Sequence, residues 1–329
     1  MNVFISLAAV VFLFLAGLLG AGAGLDALFG IVIPYIAIFL FLGGLIYRVM
    51  IWANVPVPFR IPTTSGQEKS LPWIKQSKLD NPSSTLGVIG RMALEILCFR
   101  SLLKNTKTEL HEDGHVAYGS SLWLWLGSMA FHWSMLIILL RHIRLFIEPV
   151  PGAITFLHKL DGFLQIGAPV FYVTSFIFPI ALLYLLFRRL GDPKLRYISL
   201  VNDYFPLFLL IGVGISGFWL RYISKTDIAS VKELTVGLMS FRPVTPAAIS
   251  PLFYGHLFLV CVLLGYFPFS KLVHMAGVFF SPTRNLANTN REAHHANPWD
   301  YPVKVHTYEE YEDEFREKMK AVGIPVEKE

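Results

Sequence analysis

The chain has 329 residues, of which 54% are hydrophobic and 16% are charged, whereas soluble domains carry about 25% charged residues. This composition excludes an ordinary soluble protein and indicates an integral membrane protein. The apolar stretches are continuous, which favours membrane-spanning helices over an outer-membrane β-barrel. The net charge of +5 is interpreted as basic loops at the membrane. It does not indicate nucleic-acid binding, because those loops lack interleaved aromatic residues.

Six apolar stretches predict six transmembrane helices, so the expected fold class is an all-α integral membrane protein. The predicted spans are residues 3–19, 31–53, 122–146, 166–187, 204–222 and 250–280. The predicted regions are two N-terminal spans (1–53), a polar connection (54–117), a four-span unit (118–285) and a C-terminal tail (286–329). Within the connection, residues 85–103 are amphipathic, which predicts a helix on the membrane surface or beneath a partner.

The distribution of basic residues predicts the orientation in the membrane. The side that holds residues 48–117 and 188–196 carries thirteen Lys and Arg residues, and the loops of the other side carry five. Loops rich in Lys and Arg stay in the cytoplasm. Both termini are therefore expected to be cytoplasmic, in a multi-pass protein of the cytoplasmic (inner) membrane.

Two of the predicted spans carry two histidines each, and an ionisable side chain inside a span is functional by default. His132 and His142 are ten residues apart on the third span. His256 and His274 are eighteen apart on the last, which is five turns of helix and places both on one face. Ten residues rise about 15 Å and eighteen about 27 Å, so tilt or a kink at Pro268 must absorb the difference.

Because these two spans run in opposite directions through the membrane, His142 is expected to lie opposite His256 on the outer side, and His132 opposite His274 on the inner side. Two neutral imidazoles that face each other across a helix bundle suit a haem iron with two axial ligands. The chain has only two cysteines and no CxxCH sequence, which excludes c-type haem and a cysteine-ligated iron–sulfur cluster within the chain alone. The histidines therefore predict two b-type haems.

The cations beside these histidines are candidate partners of haem propionates. Arg141 and Arg144 flank His142, and Lys271 precedes His274. The alternative is that these side chains extend to the lipid headgroups. A second alternative is a membrane anchor or transporter subunit without haem, in which the histidines are ordinary polar residues of the bundle; a proton relay, however, usually includes Asp or Glu, and the spans hold almost none.

The spacings of ten and eighteen on the third and last spans resemble the dihaem cytochrome b (gamma) subunit of respiratory nitrate reductase. The resemblance covers residues 118–285 and implies that the four histidines are axial ligands of two b haems. In the tail, residues 281–286 (SPTRNL) and 297–305 (NPWDYPVKV) resemble the DsrM family, the membrane cytochromes b of Dsr complexes in dissimilatory sulfur metabolism.

The DsrM resemblance implies a subunit that exchanges electrons between menaquinone and a cytoplasmic iron–sulfur subunit. That partner, DsrK-like, would resemble the catalytic subunit of heterodisulfide reductase, and other Dsr subunits would complete the complex. The alternative within this class is the gamma-type cytochrome b of another quinol-linked oxidoreductase, such as nitrate reductase or heterodisulfide reductase.

A quinone site is expected on the outer side, after His142. The candidates are His158, Lys159 and Asp161, since a quinone site needs a group that moves protons. The nitrate reductase resemblance implies a lysine for quinol oxidation in a comparable place, and Lys159 is the nearest match. The alternative is an ordinary loop at the level of the headgroups.

The tail predicts one amphipathic helix that begins at Thr307, with a capping box formed with Glu310. Its apolar stripe is Tyr308, Tyr311, Phe315, Met319 and Val322, and its opposite face is Glu309, Glu312, Asp313, Glu317 and Lys320. A single short helix is marginal alone in water, and its acidic face disfavours an anionic membrane surface. Residues 297–323 are therefore predicted to dock a cytoplasmic redox subunit.

Overall fold

The structure is a computed structural model that describes residues 1–55, 77–104, 107–165, 169–288 and 305–328. In that part of the chain, six helices are long and apolar enough to cross a membrane, as the sequence predicts. They are α1 (Asn2–Gly22), α2 (a π-helical turn at Leu28–Val32 that continues as Ile33–Ala53), α5 (Leu122–His142, with a 3-10 turn at Ile143–Leu145), α7 (Val173–Gly191), α9 (Val201–Tyr222) and α11 (Pro251–Tyr266, with a 3-10 turn at Phe267–Phe269). The fold class is confirmed: the protein is an all-α, multi-pass membrane protein.

Shorter elements connect and flank these spans. The helices are α3 (Thr85–Cys98), α4 (Arg100–Leu103), α6 (Gly152–Asp161), α8 (Pro193–Ile198), α10 (Ile228–Met239), α12 (His274–Gly277), α13 (Pro282–Asn285) and α14 (Tyr308–Ala321). Two antiparallel ribbons pair β1 (Lys107–Leu110) with β2 (Val116–Gly119), and β3 (Gly162–Leu164) with β4 (Phe171–Tyr172).

The first span belongs to the centre of the bundle, because α1 packs against both α9 and α11. Its buried Val10 lies in one core cluster with Leu209 and Leu259. The backbones of α1 and α11 touch where Gly17 faces Gly255: a Cβ at residue 17 would lie 3.0 Å from the Gly255 Cα. Small residues permit this approach, which is how helices associate in a bilayer.

The N-terminus lies at the end of the bundle where α9 begins. Asn2 Nδ2 donates to the Ser199 carbonyl at 3.1 Å, and the buried Ser6 hydroxyl lies 3.4 Å from the Val201 carbonyl. After six spans the chain returns to this same end, so the N-terminus and the segment after α11 share one face of the bundle. The prediction that this face is cytoplasmic is compatible with the arrangement and stays a prediction.

Two span boundaries differ from the sequence prediction. The fourth span begins at Val173 and not at 166, because the strand β4 (Phe171–Tyr172), which pairs with β3, directly precedes it. The last span is predicted over residues 250–280, with tilt or a kink at Pro268, and in the structure its α-helix ends at Tyr266. Pro268 lies in a 3-10 turn, and Ser270 is extended with φ −120° and ψ 178°, so the five-turn argument for His256 and His274 is wrong.

The amphipathic segment of the connection forms α3 and α4, separated by Phe99 in the left-handed region at φ 47°. Its end packs on α5, where the indole of Trp133 donates to the Leu97 carbonyl at 3.1 Å. The start of the tail holds the segment in place through an ion pair between Arg284 and Glu95. Arg100 pairs with Asp80 and lowers the pKa of that carboxyl to about 2.

The tail helix α14 begins with the predicted capping box, in which Thr307 Oγ1 accepts from the Glu310 N–H at 3.3 Å. One residue of its predicted acidic face is placed differently. Glu312 is buried and accepts hydrogen bonds from the N–H groups of Glu327 and Lys328 at 2.7 and 2.9 Å. The chain after the helix therefore folds back on it. The sequence predictions for residues 289–304, including the start of the proposed dock and most of the 297–305 motif, lie outside the described residues.

Replacing Gly17 with alanine is expected to destabilise the bundle by about 1–3 kcal/mol, the usual cost of overpacking, because the new methyl would meet backbone atoms of α11. Thermal unfolding in detergent would measure the effect. Gly22→Ala is the matched control on the same helix, since nothing lies within 4 Å of a Cβ there. Equal unfolding temperatures for the two variants would contradict the close packing of α1 on α11.

Candidate functional site

The inner histidine pair comes together although the last span is broken. The ring centroids of His132, on α5, and His274, at the start of α12, are 6.1 Å apart, and the ring planes are inclined by 80°. His132 Nδ1 lies 2.8 Å from the Ser128 carbonyl, and His274 Nδ1 lies 2.8 Å from the Lys271 carbonyl. The ring of Phe99 lies against His132 at 4.8 Å between centroids, so the corner between α3 and α4 covers this pair.

The outer pair lies on α5 and α11. His142 Nδ1 is 2.7 Å from the Ile138 carbonyl, and His256 Nδ1 is 2.8 Å from the hydroxyl of Ser216 on α9. His142 is near enough to act electrostatically on His256. His132 thus lies beside His274, and His142 lies within electrostatic range of His256, while the role of the four as haem ligands stays a prediction.

All four imidazoles use Nδ1 for a hydrogen bond, and none of these four has a hydrogen bond to its Nε2 atom among the described residues. An Nδ1–H donor leaves the lone pair on Nε2, which is the state of a histidine that binds a metal. A metal–imidazole bond is about 2 Å long, so facing Nε2 atoms would be about 4 Å apart and the ring centroids somewhat farther. The inner separation of 6.1 Å fits that requirement.

The donor set distinguishes haem from a metal ion bound by the protein alone. In the described part of the chain, no group of three or more His, Cys, Asp or Glu side chains is placed to hold a metal. Two histidines supply two ligands, which is what haem iron needs, because its macrocycle supplies the remaining four. The residues present therefore fit two haems with axial histidine pairs.

The cations predicted beside the histidines have different surroundings. Arg141 is buried with Asp161, and its Nε lies 3.0 Å from the carboxylate. Lys271 binds Asp203 at 2.6 Å. Arg144 lies 3.4 Å from His158 Nδ1, which carries no negative charge. Two of the three cations expected to hold propionates already have a carboxylate partner.

Sequence analysis missed the buried residue around which the outer cations gather. The ring of Tyr172 lies between Arg141 and Arg221, whose guanidinium carbons are 3.8 and 4.5 Å from its centroid. Its hydroxyl bonds His158 and accepts from Arg221 at 3.1 Å. The buried Nε of Arg221 has no hydrogen-bond partner among the described residues. Arg221 stands at the end of a span as Arg144 does, so the criterion that selected Arg144 could have selected it.

The three residues proposed for the quinone site lie on the short helix α6, and they differ in exposure. Asp161 is buried and accepts from the Thr174 N–H and hydroxyl at 3.0 and 2.6 Å. Lys159 is exposed. His158 is half-buried, and burial together with the charge of Arg144 lowers its pKa to about 4. At neutral pH His158 is therefore uncharged.

An apolar groove of about 360 Å³ opens between α5, α6 and α7. Its walls are formed mainly by aliphatic side chains and Trp133, with Asp161 and Thr174 as polar members. The exposed apolar residues Phe156 and Leu160 of α6 are typical of a helix at a membrane interface. The groove therefore opens at one end of the bundle, beside the arginines that gather around Tyr172.

Comparison with known proteins agrees with this architecture. The family described as nitrate reductase gamma subunit matches residues 116–290, more than half of the chain. The chain belongs to this family. A relative named Hdr-like menaquinol oxidoreductase cytochrome b-like subunit, from Archaeoglobus fulgidus, is 45% identical over 283 residues, which cover 84% of each chain.

A second relative of the same name, from Archaeoglobus profundus, is 39% identical over 275 residues, which cover 82% of this chain and 81% of the relative. Both matches are longer than the 214 residues that follow position 115. They must therefore include residues before position 116, so at least part of the connection that the gamma-subunit family does not cover is shared with these relatives.

Proposed function

We propose that this protein is the dihaem cytochrome b subunit of a menaquinol-linked oxidoreductase, and that it passes electrons from an outer to an inner haem. The observation that carries the proposal is the state of the four histidines, each with Nδ1 engaged and Nε2 available. A haem held in this way supplies one-electron redox chemistry. His142 and His256 would hold the outer haem, and His132 and His274 the inner one.

The electrostatics of the outer end support this assignment. Arg144 and Arg221 lie beside Tyr172 and have no carboxylate partner among the described residues, and the buried Nε of Arg221 is a donor that an anion would satisfy. Arg144 and Arg221 are therefore the proposed propionate partners of the outer haem. Arg141 mainly neutralises the carboxylate of Asp161, and Lys271 forms an ion pair with Asp203.

The names of the relatives support menaquinol as the electron donor, and the groove supports a place for it. An apolar channel at the interface suits a hydrophobic ring, and ligand pockets are mostly apolar with a few polar groups. His158, whose pKa is lowered to about 4, is uncharged at pH 7 and would accept a hydrogen bond from the quinol hydroxyl, and the exposed Lys159 would lie nearby at headgroup level. We place the quinol in this groove, beside the outer haem.

Each histidine substitution should remove one haem. His132→Ala or His274→Ala is expected to abolish the inner haem, and His142→Ala or His256→Ala the outer haem, because an axial ligand is lost. Reduced-minus-oxidised spectra and pyridine haemochrome assays would measure haem content. His115→Ala is the control, since that side chain is exposed. Full haem content in a variant would refute that ligand, and a wild-type protein without haem would favour the anchor or transporter alternative.

Filling the groove should slow electron delivery from quinol. Ile137→Trp places a large ring in the groove and is expected to slow haem reduction by a menaquinol analogue at least tenfold, with reduction by dithionite unchanged. Leu139→Trp is the matched control, because Leu139 is on the same helix and exposed. Lys159→Ala tests the second part of the site in the same assay. If both Ile137→Trp and Lys159→Ala are reduced at the wild-type rate, the quinol binds elsewhere.

We further propose that the tail docks a cytoplasmic iron–sulfur subunit, as the resemblance to the DsrM family implies. On this assignment the termini are cytoplasmic and the inner haem faces the partner. The name of the relatives denotes an oxidoreductase, and this chain lacks the cysteines for a cluster of its own. The partner would bind the exposed rings of Tyr308 and Tyr311, whereas Met319 and Glu312 are already buried within the tail.

Truncation at Asn297 should leave both haems in the membrane and release the cytoplasmic subunit during purification. The double variant Tyr308→Ser/Tyr311→Ser should weaken the complex without unfolding α14, since the capping box and the bonds of Glu312 remain. Glu317→Gln, on the opposite face, is the control. Co-purification from the native membrane would measure the association, and an intact complex after truncation would exclude the tail as the dock.

A further inference from the structure

The hydrogen bond of His256 differs from those of the other three histidines. His132, His142 and His274 each direct Nδ1 to a backbone carbonyl three or four residues earlier in their own chain segment. His256 directs Nδ1 to a side chain of another span, the hydroxyl of Ser216 on α9, at 2.8 Å. The orientation of this one imidazole therefore depends on the packing of α9 against α11.

The hydroxyl of Ser216 has a defined role in this contact. Ser216 is buried, and its Oγ lies 2.7 Å from the Gly212 carbonyl and 3.2 Å from the Val213 carbonyl. A hydroxyl has one proton to donate, and these carbonyls can only accept it. The oxygen of Ser216 is consequently left to accept the proton of His256 Nδ1, which keeps the lone pair on Nε2.

The next residue of α9 provides the space for the ring. A Cβ at Gly217 would lie 3.2 Å from His256 Cε1, and the ring nitrogens would be 3.7 and 3.9 Å away. The imidazole thus lies directly against the backbone of α9. The carbonyl of Val213 is also close to this ring, so three residues within about one turn of α9, namely Val213, Ser216 and Gly217, approach the imidazole.

From this geometry we propose that Ser216 and Gly217 form a seat for His256, and that Ser216 is a positioning residue that sets the redox properties of the outer haem separately from those of the inner haem. The inference rests on the proposed haem function. Hydrogen bonding to a ligating histidine fixes its tautomer and ring orientation and raises its basicity. A more basic axial ligand stabilises the oxidised iron, so loss of the Ser216 bond should raise the potential of one haem only.

The test compares Ser216→Ala with Ser216→Thr in the full-length membrane protein. Ser216→Ala should retain both haems, with the midpoint potential of the outer haem raised and its low-spin electron paramagnetic resonance signal shifted, because the ring can turn towards Val213. Ser216→Thr keeps a hydroxyl and should behave as wild type. Ser6→Ala is the control, since Ser6 is also buried in a span and its hydroxyl donates to a carbonyl of its own helix, that of Asn2, at 2.8 Å.

Gly217→Ala tests the second part of the seat. Its methyl should displace the ring of His256 and reduce the occupancy of the outer haem, whereas Gly214→Ala, which would meet Phe178 at 2.9 Å, should destabilise the protein without a selective effect on one haem. Loss of the outer haem alone in Ser216→Ala would also support the seat. The proposal is overturned if Ser216→Ala has the wild-type potential and resonance signal, or if Ser6→Ala changes them equally. A wild-type protein without haem would instead refute the proposed function.

Discussion

The arrangement of this bundle depends on one constraint: a polar imidazole inside a membrane protein must have its N–H group satisfied. Leaving a buried donor unpaired costs about 1–3 kcal/mol, and water is absent from the bilayer core. Each of the four histidines meets the constraint with Nδ1. The same solution leaves Nε2 as the nitrogen that can bind iron, so local stability and proposed function require the same tautomer.

The break after Tyr266 is the second determinant of the site. A straight helix would carry His274 far past the level of His132, because eighteen residues rise much farther than ten. The 3-10 turn at Pro268 and the extended Ser270 end the helix, and the hydroxyl of Ser270 caps the next turn by accepting from the Leu272 N–H at 3.2 Å. The chain can then place His274 beside His132 although it is no longer part of the span.

The two ends of the bundle handle charge in different ways. At the outer end the buried Arg141 and Asp161 form an ion pair, while Arg144 and Arg221 lie beside Tyr172 without a carboxylate partner among the described residues. Removing one partner of such a buried ion pair typically destabilises a protein by about 3–5 kcal/mol. Asp161 therefore remains paired with Arg141 and is not free to bind a ligand. At the inner end the ion pair of Arg284 with Glu95 holds α3 over the histidines. At one end of the bundle, buried cations are thus available to a ligand. At the other end, α3 packs beside the histidines on the aqueous side.

The sequence by itself determined the fold class, the six spans, the four histidines and the capped tail helix, because continuous apolar runs, intramembrane histidines and a Thr–Glu capping box depend on local physics. It placed the start of the fourth span and the end of the sixth wrongly, where a ribbon and a proline turn replaced helix. Only the tertiary structure decided which charges pair, since Asp161 is twenty residues from Arg141 and Asp203 is far from Lys271 in the chain. It also decided that α1 lies within the core, that Glu312 is buried, and that Ser216 and Gly217 orient His256. These are contacts between distant segments, and no pattern of local residue spacing encodes them.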